Sequence, residues 1–144
     1  MFQLILEFYL TLTVPLVYLF GLILIAYSPD NPMIYQTISG LILSFLGFVL
    51  WIGSYLSLRF SLTVLPKAQK LVTTGLYRYF SHPMYLGIVL VFLGLSLATN
   101  SIPGFFYTIL IVILLNIFRA KKEEETLLKK FGQKYKEYKK KVIF

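Results

Sequence analysis

The sequence predicts an all-α integral membrane protein with four transmembrane helices and a C-terminal amphipathic helix at the membrane surface. The 144-residue chain is 58% hydrophobic and only 14% charged, whereas soluble domains average about 25% charged residues. Its first 58 residues contain no Lys or Arg and only two acids, Glu7 and Asp30. Four apolar stretches approach or reach the roughly 20 residues that a spanning helix needs.

Turn signals separate the four predicted spans, and we interpret residues 1–144 as one domain. The first span covers about residues 8–27 and the second about residues 33–56, with two prolines and two Asx residues between them. The third, about residues 84–99, and the fourth, about residues 105–118, are short, so extension into flanking residues is expected. Gly40, Ser44 and Gly47 form a stripe of small residues that suits close helix packing in lipid.

The distribution of basic residues predicts the orientation. Four of the fourteen bases lie around residues 59–82 and ten follow from Arg119 to Lys141, while the turns near Pro29 and Asn100 have none. Since short basic loops stay in the cytoplasm, both termini and the central loop are predicted to be cytoplasmic. The net charge of +8 is then explained by this bias and by attraction to anionic headgroups, without nucleic acid. The sequence does not define the oligomeric state.

The tail is predicted to form a helix lying on the membrane. Its apolar residues recur at steps of four and three, which places them on one helix face, while lysines fill the other; these residues are Leu127, Phe131, Tyr135, Tyr138 and Val142. Arg119 and Glu123 lie on the same face, where charge is costly unless it is paired or bound. The chain has no cysteine, which excludes disulfides, thiolate nucleophiles and Cys-based metal sites, and no metal site is predicted.

Two segments, about residues 71–87 and about residues 119–142, contain most of the candidate chemistry. The first holds the single histidine, His82, followed by Pro83, a residue that favours the first turn of a helix. His82 should therefore lie near an N-cap, where backbone N–H groups point outward. In the second segment, Arg119 precedes an acidic run that includes Glu123 and Glu124. Taken alone, these residues can also be a structural helix cap, a positive-inside anchor and a solvated face.

Together the two segments resemble the isoprenylcysteine carboxyl methyltransferase family and its phospholipid N-methyltransferase relatives. The resemblance covers roughly residues 71–142 and is specific because many positions match in order: Gly75, Tyr77, His82, Pro83, Tyr85, Gly87, Arg119, Glu123, Glu124, Leu127, Phe131, Gly132, Tyr135 and Tyr138. Ser81 departs from the pattern, which has Arg before His-Pro. Arg78, three residues earlier, is the candidate replacement, and the departure is expected to affect acceptor choice or activity.

The resemblance implies S-adenosylmethionine as methyl donor, with S-adenosylhomocysteine as product, bound without a Rossmann fold. His82 and nearby backbone would hold its polar end, Glu124 or Glu123 would accept hydrogen bonds from its ribose or amino group, and tyrosines would offer aromatic faces. Arg119 and Glu123 are the predicted catalytic residues, with Arg119 holding an anionic acceptor. The predicted cofactor-binding residues are Leu71, Val72, Gly75, Tyr77, His82, Tyr85, Leu86, Glu124 and Tyr135.

The function predicted from this resemblance is methyl transfer to a lipophilic acceptor at the membrane. A prenylated-cysteine carboxylate, a phospholipid amine and another small lipophilic molecule all stay open as acceptors. The alternatives are a non-catalytic four-helix membrane scaffold and a small transporter. A transporter usually carries an ionisable residue in mid-membrane, but the acid nearest the first span is Glu7, at its edge, and the fourth span has none.

Overall fold

The computed structural model describes residues 2–27, 29–58 and 71–143, with side chains from residue 12 onward in those ranges. Within them the secondary structure is helical, without strands. The elements are α1 (Phe2–Tyr27), α2 (Ile34–Leu58), a 3-10 turn (Gly75–Arg78), α3 (Pro83–Ala98), α4 (Ile102–Tyr107), a π-helical turn (Thr108–Val112), α5 (Ile113–Phe131) and α6 (Gln133–Lys139). The side chain of Glu7, and Arg59, Lys67 and Lys70 of the predicted basic loop, lie outside the described residues.

Within the described ranges, two helices are long and apolar enough to cross a membrane, Ile34–Leu58 and Ile102–Phe131. The second comprises α4, the π-helical turn and α5, so the fourth predicted span does extend into its flanking residues. Its apolar part ends at Phe118, and the charged part from Arg119 continues beyond. Leu12–Tyr27 and Pro83–Ala98 are shorter apolar helices.

The exterior of the helical bundle is apolar, which distinguishes these helices from the core helices of a soluble protein. Only 11% and 22% of the residues in the two long apolar windows are buried. Large side chains such as Ile34, Phe45 and Leu114 are exposed by 74%, 66% and 59%. Small polar side chains are buried instead: Ser54, Ser96, Ser101, Thr108 and Asn116. An apolar surface of this extent is typical of a protein surrounded by lipid.

The helices run up and down, so the two turns meet at one end of the bundle. The Asp30 backbone N–H donates to the Thr99 carbonyl at 3.1 Å, and the Thr37 hydroxyl donates to the Ala98 carbonyl at 3.2 Å. α1 packs along α4, where the Tyr107 hydroxyl donates to the Val17 carbonyl at 2.9 Å. This arrangement leaves the 3-10 turn, the start of α3 and the charged part of α5 together at the opposite end.

The backbones of α2 and α3 touch through glycines. A Cβ added at Gly47 would lie 2.8 Å from the Gly87 carbonyl, and one at Gly94 would lie 2.6 Å from the Gly40 carbonyl. Contacts this close leave no room for a side chain, so the small residues of α2 serve helix packing, as the sequence predicts. The close contact fixes α3 on α2 and thereby fixes the first turn of α3, where His82 lies.

The tail differs from the single helix that the sequence predicts, because it forms two helices. Gly132 separates α5 from α6 with φ 50° and ψ −118°, a conformation that glycine adopts readily. α6 then turns back onto the 3-10 segment, where the Tyr138 hydroxyl donates to the Tyr77 carbonyl at 2.6 Å. The Ile143 N–H donates to the Tyr79 carbonyl at 2.8 Å. Tyr135 and Tyr138 are 1% and 9% exposed, so both pack inside the protein.

Candidate functional site

The site begins at the first turn of α3, where His82 occupies the predicted N-cap position and Pro83 begins the helix. The His82 side chain makes no capping hydrogen bond, although its carbonyl accepts the Leu86 N–H at 3.2 Å. The ring is therefore free to contact other elements, and it is buried, with the residue 6% exposed.

Two carboxylates from α5 contact the His82 ring. Its Nε2 lies 3.2 Å from Glu124 Oε1, and its Nδ1 lies 3.6 Å from Glu123 Oε2. Lys139 of α6 contacts the same Glu124 oxygen through its Nζ. Three elements that are distant in sequence thus meet in one ionic group, which we call the His82 cluster: His82, Glu123, Glu124 and Lys139.

Electrostatics within the His82 cluster favour its charged forms. Burial lowers the pKa of His82, but hydrogen bonding and charge from Glu123 and then Glu124 outweigh burial, so the pKa is raised above its usual value. Burial raises the pKa of Glu124, but Lys139 and His82 outweigh it, so that pKa is lowered. The histidine is consequently held as a cation over a wider pH range than a free histidine.

Aromatic rings form the walls beside the His82 cluster. The Tyr85 ring stacks on the His82 ring with centroids 5.7 Å apart and 26° between planes. Tyr77 is buried next to α6, and its carbonyl accepts the Tyr138 hydroxyl. Tyr135 packs against Tyr138, with centroids 6.1 Å apart.

Two buried hydroxyls at this site have no hydrogen-bond partner among the described residues, those of Tyr135 and Ser81. A buried polar group without a partner costs about 1–3 kcal/mol, so such groups usually have a ligand or water. Ser81 stands where the family pattern has Arg, and Arg78, the candidate replacement, is exposed at the end of the 3-10 turn.

Arg119 lies against the same Tyr85 ring as His82. Its Cζ is 5.1 Å from the Tyr85 centroid, and its Nη1 donates to the Tyr18 hydroxyl at 3.4 Å. That hydroxyl donates to Asn116 Oδ1 at 2.6 Å. Among the described residues, no carboxylate pairs with Arg119 within 4.0 Å, and Glu123 and Glu124 both contact His82 instead.

The structure brings most of the predicted site residues together: Tyr77, His82, Tyr85, Arg119, Glu123, Glu124 and Tyr135. The other four belong to the same two chain regions, the segment before α3 and α3 itself. Leu71 and Val72 are half-buried before the 3-10 turn, Gly75 begins that turn against Ser57 of α2, and Leu86 is half-buried in α3. No polar side-chain contact among the described residues joins these four to the His82 cluster.

Sequence reasoning missed four residues of the site. Lys139 belongs to the lysine-rich face of the predicted tail helix, and it pairs with Glu124. Tyr138, a residue of the family pattern, donates to two backbone carbonyls. Tyr18 and Asn116 lie in predicted spans, and the sequence signal that points to them is a polar Asn116 three residues before Arg119 in an apolar stretch.

The apolar helical bundle is that of a membrane protein, and the charged and aromatic group at one end of it is a candidate ligand-binding site. Residues 35–134 match the sequence profile of the phospholipid methyltransferase family. This match covers about two thirds of the chain and includes His82, Arg119, Glu123 and Glu124, and it confirms the suspected family. The chain belongs to the phospholipid methyltransferase family, whose members are membrane methyltransferases. No curated protein sequence matches the chain.

Proposed function

We propose that this chain transfers a methyl group from S-adenosylmethionine to a lipophilic acceptor at the membrane. The family supports methyl transfer as the reaction. The observation that carries the donor assignment is the His82 cluster itself, with the unpartnered hydroxyls of Tyr135 and Ser81 beside it.

The residues at the site fit the chemistry of this donor. The donor has hydroxyl and amino hydrogens that carboxylates accept, and Glu123, with its longer 3.6 Å contact to His82, has acceptor capacity left. It also has polar atoms for the Tyr135 and Ser81 hydroxyls, and a cationic sulfonium that aromatic faces attract. When bound, S-adenosylmethionine supplies a methyl group already activated by its sulfonium.

The protein's own task is then to orient the acceptor and exclude water. Proximity and orientation can supply much of the rate enhancement of such a reaction. In this proposal Tyr77, Tyr85 and Tyr135 shield the site, and Arg119 holds a phosphate or carboxylate of the acceptor. Glu123 is the candidate to take a proton from an amine acceptor. If the acceptor is a prenylated-cysteine carboxylate, only Arg119 would be needed to hold it. If the acceptor is a phospholipid amine, Arg119 would hold the phosphate and Glu123 would take the proton.

We also propose that the chain crosses the membrane four times, with both termini and the segment around residues 59–82 in the cytoplasm. The up-and-down arrangement supports this, since it separates the turn near Asn31, which has no Lys or Arg, from the basic tail. The chain has no cysteine, so a single cysteine introduced at Asn31 or Lys140 shows on which side of the membrane that position lies. A membrane-impermeant maleimide should label the two cysteines from opposite faces of sealed vesicles. Labelling from the same face would contradict the proposal.

A scaffold or a small transporter is the alternative. The described apolar segments 12–27, 34–58, 83–98 and 102–118 contain no Asp, Glu, Lys or Arg, so they offer no ionisable coupling group for a transporter. A scaffold predicts that His82 and Glu124 can be replaced without loss of function.

Calorimetric titration of the detergent-purified protein with S-adenosylhomocysteine tests the donor site. The wild type should bind saturably, and His82→Ala and Glu124→Gln should each weaken binding about tenfold or more, since bonds to charged groups contribute about 1.5–3 kcal/mol. Glu137→Gln is the matched control, because Glu137 is an exposed acid of α6. No binding by folded wild-type protein, or equal binding by all variants, would refute the assignment.

A further inference from the structure

We propose that Arg119, Asn116 and Tyr18 form a subsite for the oxyanion of an amphiphile, next to the Tyr85 ring. The ligand class is a phosphate or carboxylate carried on an apolar chain. This inference rests on the proposed function, because it gives the acceptor a place next to the donor site. Arg119 and Asn116 would touch the oxyanion, and Tyr18 would be a positioning residue that acts through both.

Hydrogen bonding fixes the orientation of the Asn116 amide. Arg119 donates to the Tyr18 hydroxyl at 3.4 Å, so that oxygen is the acceptor and its single O–H is left to donate. The O–H is directed to Asn116 Oδ1 at 2.6 Å. Both amide hydrogens of Asn116 therefore point elsewhere, and its Nδ2 is buried with no partner among the described residues.

Asn116 is 3% exposed, so its unused donors lie inside the bundle. An unpaired buried donor costs about 1–3 kcal/mol, and a ligand that accepts its hydrogen bonds would remove that penalty. The neighbouring charge identifies what kind of acceptor fits. Arg119 is half-buried, positive and unpaired with any described carboxylate, and its planar guanidinium matches the geometry of phosphate and carboxylate oxygens.

Tyr85 contacts both His82 and Arg119. Its ring lies 5.7 Å from the His82 ring and 5.1 Å from the Arg119 guanidinium carbon. Glu123 and Glu124 contact His82, and no described carboxylate pairs with Arg119 within 4.0 Å. An anion can therefore approach the guanidinium without displacing a described carboxylate, while the carboxylates at His82 stay available to a cationic donor.

The position within the bundle favours an amphiphile over a free anion. Tyr18 belongs to α1 and Asn116 to α5, and each lies in an apolar stretch, with exposed neighbours Leu19, Ile117 and Phe118. An anion with an apolar chain can bind these donors while its chain stays against the apolar exterior. A free phosphate would have to leave water without that compensation.

Calorimetry with simple probes tests the subsite, using dihexanoyl phosphatidic acid, decanoate, uncharged dihexanoylglycerol and inorganic phosphate. The two anionic amphiphiles, dihexanoyl phosphatidic acid and decanoate, should bind the wild type at least tenfold more tightly than dihexanoylglycerol does. Inorganic phosphate should show no saturable binding. Asn116→Leu and Arg119→Gln should each weaken the anionic amphiphiles about tenfold or more. Tyr18→Phe, which keeps the ring, should weaken them less. Lys121→Gln, which removes an exposed positive charge two residues from Arg119, is the control and should bind like the wild type.

Affinity for S-adenosylhomocysteine, measured on the same variants, separates this subsite from the fold and from the donor site. The affinity should be unchanged in Asn116→Leu, because Asn116 does not contact the His82 cluster. If Asn116→Leu bound neither S-adenosylhomocysteine nor the anionic amphiphiles, Asn116 would have a structural role. If Lys121→Gln weakened binding of the anionic amphiphiles as much as Arg119→Gln does, their binding would depend on general surface charge. Saturation by inorganic phosphate would mean a free-anion site. Each of these results overturns the subsite, whereas a wild type that binds no S-adenosylhomocysteine refutes the proposed function instead.

Discussion

Replacing Tyr138 by Phe removes one hydroxyl that holds α6 against the segment before α3. That hydroxyl lies 2.6 Å from the Tyr77 carbonyl and 3.3 Å from the Phe80 carbonyl. The change loses a hydrogen bond and leaves the buried Tyr77 carbonyl without this partner, which together cost about 1–3 kcal/mol. A penalty of this size raises the population of undocked tail about 5- to 150-fold.

Tyr135→Phe is the matched control, one helical turn away on α6. The Tyr135 hydroxyl is buried and has no partner among the described residues. Removing it should leave tail docking unchanged or slightly stronger. If that hydroxyl contacts the methyl donor, the same variant should bind S-adenosylhomocysteine more weakly. The two substitutions delete the same atom from neighbouring tyrosines, yet they are expected to affect different properties.

Limited proteolysis with trypsin measures tail docking, because the tail is rich in lysine. In detergent at one pH, Tyr138→Phe should be cleaved within α6 faster than the wild type, and Tyr135→Phe at the wild-type rate. Circular dichroism of both variants should show that the bundle remains helical. Equal cleavage of the two variants would refute the reasoning, because it would mean that the Tyr138 hydroxyl does not hold α6.

Two further predictions concern the cluster and the packing. Glu123 and Glu124 outweigh burial and raise the pKa of His82 above its usual 6.5. The stability that their contacts with protonated His82 contribute is therefore full below pH 6.5, and it is lost as the pH rises through the raised pKa. Thermal unfolding against pH should show this decline, and His82→Gln should remove it; a flat wild-type profile would argue against it. Gly94→Ala should destabilise the protein by about 1–3 kcal/mol, since its Cβ would lie 2.6 Å from a carbonyl of α2. Gly53→Ala, whose Cβ would meet only the Leu76 side chain, should be near neutral in the same unfolding measurement.

Local rules predicted the parts of the fold that neighbouring residues decide. The His82-Pro83 pair predicted the start of α3 because proline fixes φ in the first helical turn. The small residues of α2 predicted a close contact because glycines let two backbones touch. The cofactor-binding and catalytic assignments came from the family resemblance instead, and they remain predictions for the experiments above.

The helical tail is predicted, but the packing of its apolar face is not, because its pattern fits two environments. An apolar face containing Tyr135 and Tyr138 can lie on a membrane or against the protein, and periodicity does not distinguish them. The contact that decides between them joins Tyr138 to Tyr77, 61 residues apart in sequence. The Tyr18–Asn116 bond spans 98 residues, and neither pairing can be found from local sequence alone.

Methyl transfer in reconstituted vesicles tests the central claim most directly. The purified protein would be placed in liposomes made from a total membrane lipid extract supplemented with phosphatidylethanolamine and farnesylcysteine, and given S-adenosylmethionine labelled at the methyl group. The wild type and the Glu137→Gln control should move label into the lipid-extractable fraction, and His82→Ala should not. A wild type that binds S-adenosylhomocysteine but leaves the lipid fraction unlabelled, or a His82→Ala variant as active as the wild type, would contradict the account.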